Sequence, residues 1–436
     1  MYLIRFIQNI SKSHNFRHGV LYTLFSFINN GVSFILLLVL ANYLQPSDYG
    51  SLSLFNTFVT LLNIFISLST ASYVSVTFFQ AKRGTLQKII FIALGTSTVT
   101  LITFSSFLII LPNLAEKYIG INLQYLWLGL FICYFQVFTS LNLEVWRLKE
   151  KPLSYGIFSI SLALLNFALT LWFIAGLDLN WEGRVYSQFS IYLLYFIFSV
   201  KFLIKKKFIV LTLPDKSLIF ETFSYALPLV PHVMSFWLRQ GLDRYIINYF
   251  WDNTYVGYFS FAMNISSIVV MIGQAFNSTN SVYIFKKLSE GYVKSKEILD
   301  KQNRIMFWVF IFCTIFICMF AYALIGFFIP QYIGSLPYII PLCIGGLCQC
   351  IYLLWVNYLF YYKNTKQLMY ITFLASVIQV ILSIWLTRYG TLYTAIISMF
   401  TNALIMGLVY FRAKKILLSQ FKIEVMNNEE CKENLH

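Results

Sequence analysis

Long apolar stretches constrain this chain more than any other feature of its sequence. Twelve of them follow one another, at 19–43, 51–74, 88–111, 123–143, 153–175, 184–204, 226–249, 256–278, 305–329, 337–361, 367–388 and 390–411. A helix needs about 20 apolar residues to cross the roughly 30 Å core of a bilayer. Only 11% of the residues are charged, against about 25% in soluble proteins, which excludes a water-soluble enzyme of this size. The sequence therefore predicts an all-α integral membrane protein with twelve transmembrane helices.

The segments between these stretches are short, so none of them can hold a folded extramembrane domain. We expect two six-helix halves, 1–205 and 226–415, around a central cavity. Between them, 206–225 is expected to form a cytoplasmic linker or interfacial helix, and 416–436 a polar cytoplasmic tail. The linker and 279–304 are rich in Lys with interspersed acidic residues, which favours short amphipathic helices on the membrane surface.

The basic residues predict the orientation in the membrane. If the N-terminus is cytoplasmic, 27 of the 32 Lys and Arg residues lie on that side, three lie outside (Lys117, Arg184 and Arg388) and two lie within a stretch. Lys117 and Arg184 are interpreted as loop charges, with contact to an anionic head group as the alternative. Cytoplasmic loops of membrane proteins carry such an excess of Lys and Arg, so both termini are expected in the cytoplasm. The net charge of +15 is divided among seven short segments and does not indicate nucleic-acid binding. No Cys and His spacing of the metal-binding type occurs, so no metal or cofactor is predicted.

An internal repeat is indicated by the residues that follow the first and seventh stretches. Asn42–Ser53 and Asn248–Ser260 align with one gap, matching Asn-Tyr, a turn and a Gly at an offset of 206–207 residues. Six helices in each copy make the two copies parallel, related by an axis along the membrane normal. In such a layout the substrate site lies between the halves.

Polar side chains recur at steps of three or four residues in stretches 1, 2, 7 and 8. Polar groups are costly in lipid, so such stripes face the protein interior or a water-filled cavity. We predict substrate-binding roles for Asn30, Asn63, Asn264 and Gln274. The alternative is that these groups join helices or bond to carbonyls of their own helix. The eleventh stretch also has a stripe, so a stripe alone does not define a cavity; its residues are Thr372, Ser376, Gln379 and Ser383.

The seventh stretch holds the clearest intramembrane charges, Arg239, Asp243 and Arg244. Arg239 and Asp243 are four residues apart and can pair on one helix face. An unpaired Arg in the membrane costs about 3 kcal/mol or more, so Asp243, water or an anionic ligand must compensate it. We predict that Arg239 and Arg244 bind an anionic substrate group. Asp243 and His232 are predicted as ion-coupling residues or as members of a structural pair. Two prolines earlier in the stretch favour a kink.

Three short motifs carry a resemblance to a known family. They are Leu44–Gly50 after the first stretch, Tyr225–Pro231 opening the seventh, and Leu242–Ile247 followed by Val256–Tyr258. Their sequences and order resemble the polysaccharide-transporter family of the multidrug/oligosaccharidyl-lipid/polysaccharide exporter superfamily, in particular the Wzx-type flippases of O-antigen and capsule repeat units. The twelve-stretch, two-half layout extends the resemblance over nearly the whole chain.

The resemblance implies a flippase of the bacterial inner membrane. Such proteins move undecaprenyl-diphosphate-linked oligosaccharides from the cytoplasmic to the outer leaflet, by alternating access, for O-antigen, capsular or exopolysaccharide synthesis. Arg239 and Arg244 suit the diphosphate, and the amide and hydroxyl stripes suit the sugar. The implied partners are the lipid-linked oligosaccharide, membrane lipid, a polymerase and a chain-length regulator.

Two other classes of protein are weighed against the flippase. A drug or cation exporter, or another small-molecule secondary transporter, should place unpaired carboxylates in its cavity, and this chain offers one intramembrane Asp. A polymerase-type membrane enzyme needs a sizeable external loop with catalytic groups. The external segments here are short, and their acidic residues form no pair for general acid–base catalysis. We therefore expect no enzymatic activity and name no catalytic residues.

Overall fold

The computed structural model describes residues 14–79, 81–210 and 212–433, and within these ranges the chain forms helices and no strand. Eleven helices in this part are long and apolar enough to cross a membrane. This confirms the predicted class, an all-α multi-pass membrane protein. The one predicted stretch that is not among these eleven helices, the seventh, is also helical but broken, and it carries the candidate site.

Contacts group the described helices into two units, the first ending at Trp237 and the second beginning at Leu238. The helices up to this boundary are α1 (His14–Tyr43), α2 (Pro46–Ser67), α3 (Thr70–Thr77), α4 (Arg83–Ile110), α5 (Pro112–Ile119), α6 (Leu123–Leu148), α7 (Pro152–Leu171), α8 (Trp181–Lys205) and α9 (Lys216–Ala226). A π-helical turn, Trp172–Gly176, continues α7. Helix α10 (Leu229–Gln240) runs across the boundary.

The second unit contains six further helices. They are α11 (Leu242–Phe250), α12 (Asn253–Ser289), α13 (Tyr292–Phe327), α14 (Leu336–Tyr361), α15 (Thr365–Leu386) and α16 (Leu392–Glu433). Two 3₁₀ segments, Pro330–Ser335 and Thr387–Tyr389, lie before α14 and after α15.

Each unit has the same pattern of neighbouring helices. In the first, α6 packs against α2, α4 and α8, and α1 packs against α7. In the second, α14 packs against α12, α13 and α16, and α11 packs against α15. An internal repeat of six helices predicts this correspondence.

Buried thiols mark equivalent points of these two packings. Cys133 on α6 donates from Sγ to the carbonyl of Val59 on α2, and Cys350 on α14 donates to the carbonyl of Val269 on α12. The sulfur–oxygen distances are 3.2 and 3.1 Å. A small side chain at such a contact lets helix backbones approach closely, which drives packing in lipid. These two cysteines therefore have structural partners.

The seventh predicted stretch, 226–249, is not one continuous helix. The helix is interrupted at Leu227 and Pro228, between α9 and α10, and again at Gly241, between α10 and α11, where φ is −106° and ψ is −47°. Pro lacks a backbone N–H and disfavours helix in the residue before it, so the first break follows from the sequence. The second was not predicted. Because α10 has 12 residues and α11 has nine, neither crosses a membrane alone.

The segment 279–304 does not form a separate amphipathic helix, contrary to the prediction. It consists of the end of α12 and the start of α13, joined by a turn at Gly291, whose φ is +101°. Residues predicted as a polar tail from 416 onward continue α16 up to Glu433. The Glu424 carboxylate accepts from the backbone N–H groups of Tyr292 and Val293, at 3.0 and 2.9 Å. It thereby satisfies donors that the start of α13 leaves unpaired.

Candidate functional site

A helix break at Gly241 sets the positions of the charges of the seventh stretch. Arg239 lies in the last turn of α10, and Asp243 lies in the first turn of α11. The peptide dipoles make the C-terminal end of a helix partly negative and its N-terminal end partly positive. Each charge is therefore stabilised by the end of its own helix. A continuous helix would offer neither charge this stabilisation.

Asp243 finds its partners on another helix. Its carboxylate is buried and accepts hydrogen bonds from Gln379 Nε2 and Ser383 Oγ on α15, both at 2.9 Å. The three ion pairs of the described residues do not include Asp243. The expected direct pair with Arg239 is therefore replaced by two neutral donors. Hydrogen bonds to a charged acceptor are stronger than neutral ones, which offsets part of the cost of burying the carboxylate.

Gln379 also stabilises the helix break at Gly241 by contacting residues on both sides of it. Its Nε2 donates to the backbone carbonyl of Arg239 at 2.9 Å as well as to Asp243. The last carbonyls of a helix have no partner within that helix, and a buried one is costly to leave unpaired. One amide group thus satisfies the end of α10 and the carboxylate at the start of α11. The stripe in the eleventh stretch, from which no function was predicted, supplies this contact.

Arg244 is held by three different acceptors. Its Nε donates to Ser260 Oγ on α12 at 3.1 Å, and its Nη2 contacts Met263 Sδ at 3.5 Å. Its Nη1 donates to the backbone carbonyl of Gln240, which is freed by the same break. The guanidinium is therefore oriented by protein groups and carries its positive charge next to the break.

The other predicted binding residues are more dispersed. Asn63 on α2 donates from Nδ2 to Gln136 Oε1 on α6 at 2.6 Å, which joins two helices of the first unit. Asn30 and Gln274 are exposed, and Asn264 is partly buried. His232 belongs to α10, but its side chain lies outside the described residues. The structure brings together Asp243 and Arg244 from the predicted set, with the carbonyl of Arg239.

Several hydroxyls of the polar stripes bond to their own helix. Thr60 Oγ1 donates to the carbonyl of Asn56 at 2.8 Å, and Ser267 Oγ donates to that of Asn264 at 2.6 Å. Ser278 Oγ donates to the carbonyl of Ala275 in the same manner. At these positions the hydroxyl bonds to the backbone of its own helix, which is the alternative interpretation of the polar stripes.

A cation that the sequence placed in a loop lies within a helix of the first unit. Arg184 is the fourth residue of α8, and its Nη1 donates to Asn166 Oδ1 and Thr170 Oγ1 on α7, both at 2.7 Å. Thr170 and Ser187 share a further hydrogen bond of 2.7 Å. The available signal was the four-residue spacing of Asn166 and Thr170 in an otherwise apolar stretch.

Together, the fold and the site define a polytopic membrane protein with a charged, discontinuous helix in its apolar bundle. Residues 16–289 match the family described as "Polysaccharide biosynthesis protein". Because this match covers more than half of the chain, the protein belongs to that family.

Two proteins of Haemophilus influenzae are similar in sequence. "Lsg locus putative protein 1" is 25% identical over 415 residues, which cover 92% of this chain and 98% of the relative. An "Uncharacterized membrane protein" is 27% identical over 352 residues, which cover 80% and 84%.

Solved transporter structures have a similar fold. An inward-facing multidrug resistance MATE family transporter of the MOP superfamily matches with a TM-score of 0.73 at 14% identity, over 92% of this chain and 96% of its own. The lipid II flippase MurJ, in an inward closed conformation, matches with a TM-score of 0.70 at 13% identity, over 91% and 87%. One of these neighbours is a transporter and the other a flippase, and at 13–14% identity the likeness shows a shared fold.

Proposed function

We propose that this protein is a flippase for undecaprenyl-diphosphate-linked oligosaccharide repeat units. It moves them from the cytoplasmic to the outer leaflet of a bacterial inner membrane by alternating access, for O-antigen, capsular or exopolysaccharide synthesis. The family match and the resemblance to a lipid II flippase fold support a lipid-linked saccharide as substrate.

The observation that carries the proposal is the break at Gly241 with its three charges. Transporters often build their sites from discontinuous helices, whose ends and freed backbone groups contact the substrate and the coupling ion. Here Arg239 and Arg244 flank the break, and both suit a diphosphate, which offers several oxygens to a guanidinium fork. The break lies in an otherwise apolar helix bundle, where retaining such charges is expensive without a function.

Asp243 is the proposed coupling group of this site. Its carboxylate is buried between two neutral donors, so a proton or a cation arriving there changes the charge of the site. Loss or gain of that charge alters how strongly the break attracts an anionic substrate. His232, eleven residues earlier, stays a second candidate.

The proposed orientation has both termini in the cytoplasm, as the asymmetry of basic residues predicts. The lipid-linked unit would then enter from the side of the basic loops and leave on the opposite side. A polymerase and a chain-length regulator would act on it afterwards, as separate partners.

Deletion of the gene in its native host tests the proposal. A flippase mutant should lack surface polysaccharide and accumulate lipid-linked repeat units that remain on the cytoplasmic leaflet. A polymerase mutant would instead display single repeat units at the surface. Normal surface polysaccharide, together with increased sensitivity to cationic drugs, would favour the drug-exporter alternative. Arg244→Ala on a plasmid should fail to restore the deletion strain, whereas the wild-type chain restores it.

A further inference from the structure

Arg184 occupies a place in the first unit that is unfavourable for a cation. It lies in the first turn of α8, where the helix dipole is partly positive and repels another positive charge. Its side chain is partly buried, and the ion pairs of the described residues do not include it. Arg239, by contrast, lies at a helix end that attracts it. No ion pair among the described residues neutralises the Arg184 guanidinium.

The known partners of Arg184 use less than half of its hydrogen-bonding capacity. A guanidinium has five N–H groups, and the two on Nη1 donate to Asn166 Oδ1 and Thr170 Oγ1. Among the described residues, Arg184 donates only through Nη1, so the groups on Nε and Nη2 are left for solvent or a ligand. Both acceptors are neutral oxygens. A brace between α7 and α8 could be made by an uncharged amide, so bracing alone does not require an arginine here.

Further polar groups lie one helical turn from Arg184. Gln188 donates from Nε2 to Asn56 Oδ1 on α2 at 3.3 Å. Its Oε1 is buried and has no hydrogen-bond partner among the described residues. A buried polar atom without a partner is unusual in a folded protein and often marks a place for water or a ligand. Arg184 and Gln188, four residues apart on α8, therefore present unused donors and an unused acceptor on one helix face.

The second unit provides a direct comparison. Gln379 and Ser383 on α15 lie 213 residues after Asn166 and Thr170 on α7, with the same four-residue spacing of an amide and a hydroxyl. There the pair holds an anion, the carboxylate of Asp243. In the first unit a pair with the same spacing orients a cation. The two pairs thus hold opposite charges, and the cation keeps donors on Nε and Nη2 that its pair does not use.

We propose that Arg184 is a binding residue for an oxyanion of the substrate. The ligand chemistry is a phosphate or carboxylate group, from the diphosphate of a lipid carrier or from an acidic sugar, bound through Nε and Nη2 in a fork geometry. Asn166 and Thr170 fix the guanidinium plane, and Gln188 supplies an acceptor for a neighbouring hydroxyl. In the predicted orientation Arg184 lies near the outer surface, where the headgroup arrives after translocation. The inference rests on the proposed function.

Binding measurements on the full-length protein in phosphatidylcholine nanodiscs test this role. The probes are undecaprenyl diphosphate and glucuronic acid, with undecaprenol and glucose as their uncharged controls. The variants are Arg184→Gln and Arg184→Lys. The matched control is Arg388→Gln, which removes an exposed cation from the same predicted side, where its guanidinium contacts Tyr389. Thermal unfolding of each variant is recorded in parallel.

The inference predicts that Arg184→Gln weakens binding of one charged probe about tenfold or more, the loss expected for one charge-assisted contact. Arg184→Lys keeps the positive charge but loses the planar guanidinium with its two parallel donors. It should weaken binding of that probe about threefold. Arg388→Gln should change it less than about twofold. A loss confined to undecaprenyl diphosphate identifies the lipid headgroup as the source, and a loss confined to glucuronic acid identifies the sugar.

Unchanged binding in both Arg184 variants, with a lowered unfolding temperature, would show a structural brace and overturn the inference. If Arg184→Gln does not fold, wild-type affinity in Arg184→Lys overturns it equally. These outcomes leave the proposed function intact as long as the wild-type protein binds undecaprenyl diphosphate. If the wild-type protein binds neither charged probe, the proposed function fails, and the inference fails with it.

Discussion

The hydroxyl of Ser383 donates a hydrogen bond of 2.9 Å to the carboxylate of Asp243, 140 residues earlier in the chain. The two residues lie on helices that no local sequence pattern pairs, yet both are buried. The bond fixes one oxygen of a carboxylate whose helix begins only one residue before it. The geometry of the break at Gly241 therefore depends on α15 as well as on its own sequence.

Removal of this hydroxyl should destabilise the protein. Ser383→Ala leaves one oxygen of a buried carboxylate without its donor, which costs about 1–3 kcal/mol. Ser278→Ala is the matched control, because its exposed hydroxyl bonds only to a carbonyl of its own helix and its loss should cost no more than about 0.5 kcal/mol. Thermal unfolding of the purified variants in one detergent measures both. Equal unfolding temperatures would contradict the role assigned to Ser383.

Asp243→Asn should separate folding from transport. The amide has nearly the shape of the carboxylate, and it can accept from Gln379 while Ser383 Oγ turns to accept from it. Neutralising a buried charge removes its desolvation cost, so we expect stability close to that of the wild type. Surface polysaccharide should nevertheless be lost, because the variant cannot change its charge. A stable variant with normal surface polysaccharide would reduce Asp243 to a structural residue.

Arg244→Lys should fail in transport nearly as completely as Arg244→Ala. One ammonium group cannot contact Ser260, Met263 and the carbonyl of Gln240 from the positions that the planar guanidinium reaches. The measurement is the amount of lipid-linked repeat units left on the cytoplasmic leaflet in a complemented deletion strain. Arg388→Lys, at an exposed cation, is the control and should transport normally. Full transport by Arg244→Lys would mean that only the charge matters.

Much of this architecture follows from the sequence, because membrane helices are specified by local composition. Hydropathy predicted the eleven long helices, and the charges of the seventh stretch indicated the site. The break at Gly241 was missed because Gly is tolerated within membrane helices, and because the spacing of Arg239 and Asp243 fits an uninterrupted helix equally well. The spacing of two residues in the sequence shows that their side chains share a helix face only if the helix between them is uninterrupted.

The remaining errors concern contacts between distant parts of the chain. Gln379 lies 136 residues from Asp243, and only tertiary packing brings an amide of one stripe to a carboxylate of another stretch. Arg184 was assigned to a loop because its apolar stretch begins there, whereas α8 starts at Trp181. That earlier start places its guanidinium beside α7. Such assignments require the packing of helices, which periodicity within one helix does not determine.

The Asn63–Gln136 pair distinguishes a structural amide from a sugar-binding one. The bond of 2.6 Å joins α2 to α6, so Asn63→Ala and Gln136→Ala should each lower stability, and the double variant should lose less than the sum. The coupling expected for one neutral hydrogen bond is about 0.5–1.5 kcal/mol. Unfolding in denaturant measures it. If Asn63 binds sugar as well, Asn63→Ala should reduce transport more than Gln136→Ala does at matched stability.

The linker that precedes the broken helix is held against α4, which makes its attachment testable by pH. Lys88 Nζ lies 2.8 Å from the Asp215 carboxylate, and Gln87 Nε2 donates to the carbonyl of Lys207 at 2.6 Å. The hydrogen bond and charge of Lys88 lower the pKa of Asp215 below its ordinary value. Because the folded pKa is depressed, the stabilisation is complete above the ordinary Asp pKa of about 3.9 and disappears as the pH falls through the lower, folded value.

Asp215→Asn should therefore loosen the linker at neutral pH and change little in strong acid. At pH 7 trypsin should cleave the variant faster than the wild type after Lys205–Lys207 and Lys216, and 0.5 M salt should bring the wild type closer to the variant, since the pair is exposed. Pepsin digestion in strong acid should attack both at similar rates, because the wild-type carboxylate loses its charge as the pH falls through its lowered pKa. Asp300→Asn, on the basic stretch of α13, controls for the loss of an acidic residue elsewhere. Identical cleavage of Asp215→Asn and wild type at pH 7 would show that Gln87 and the backbone contacts hold the linker without the ion pair.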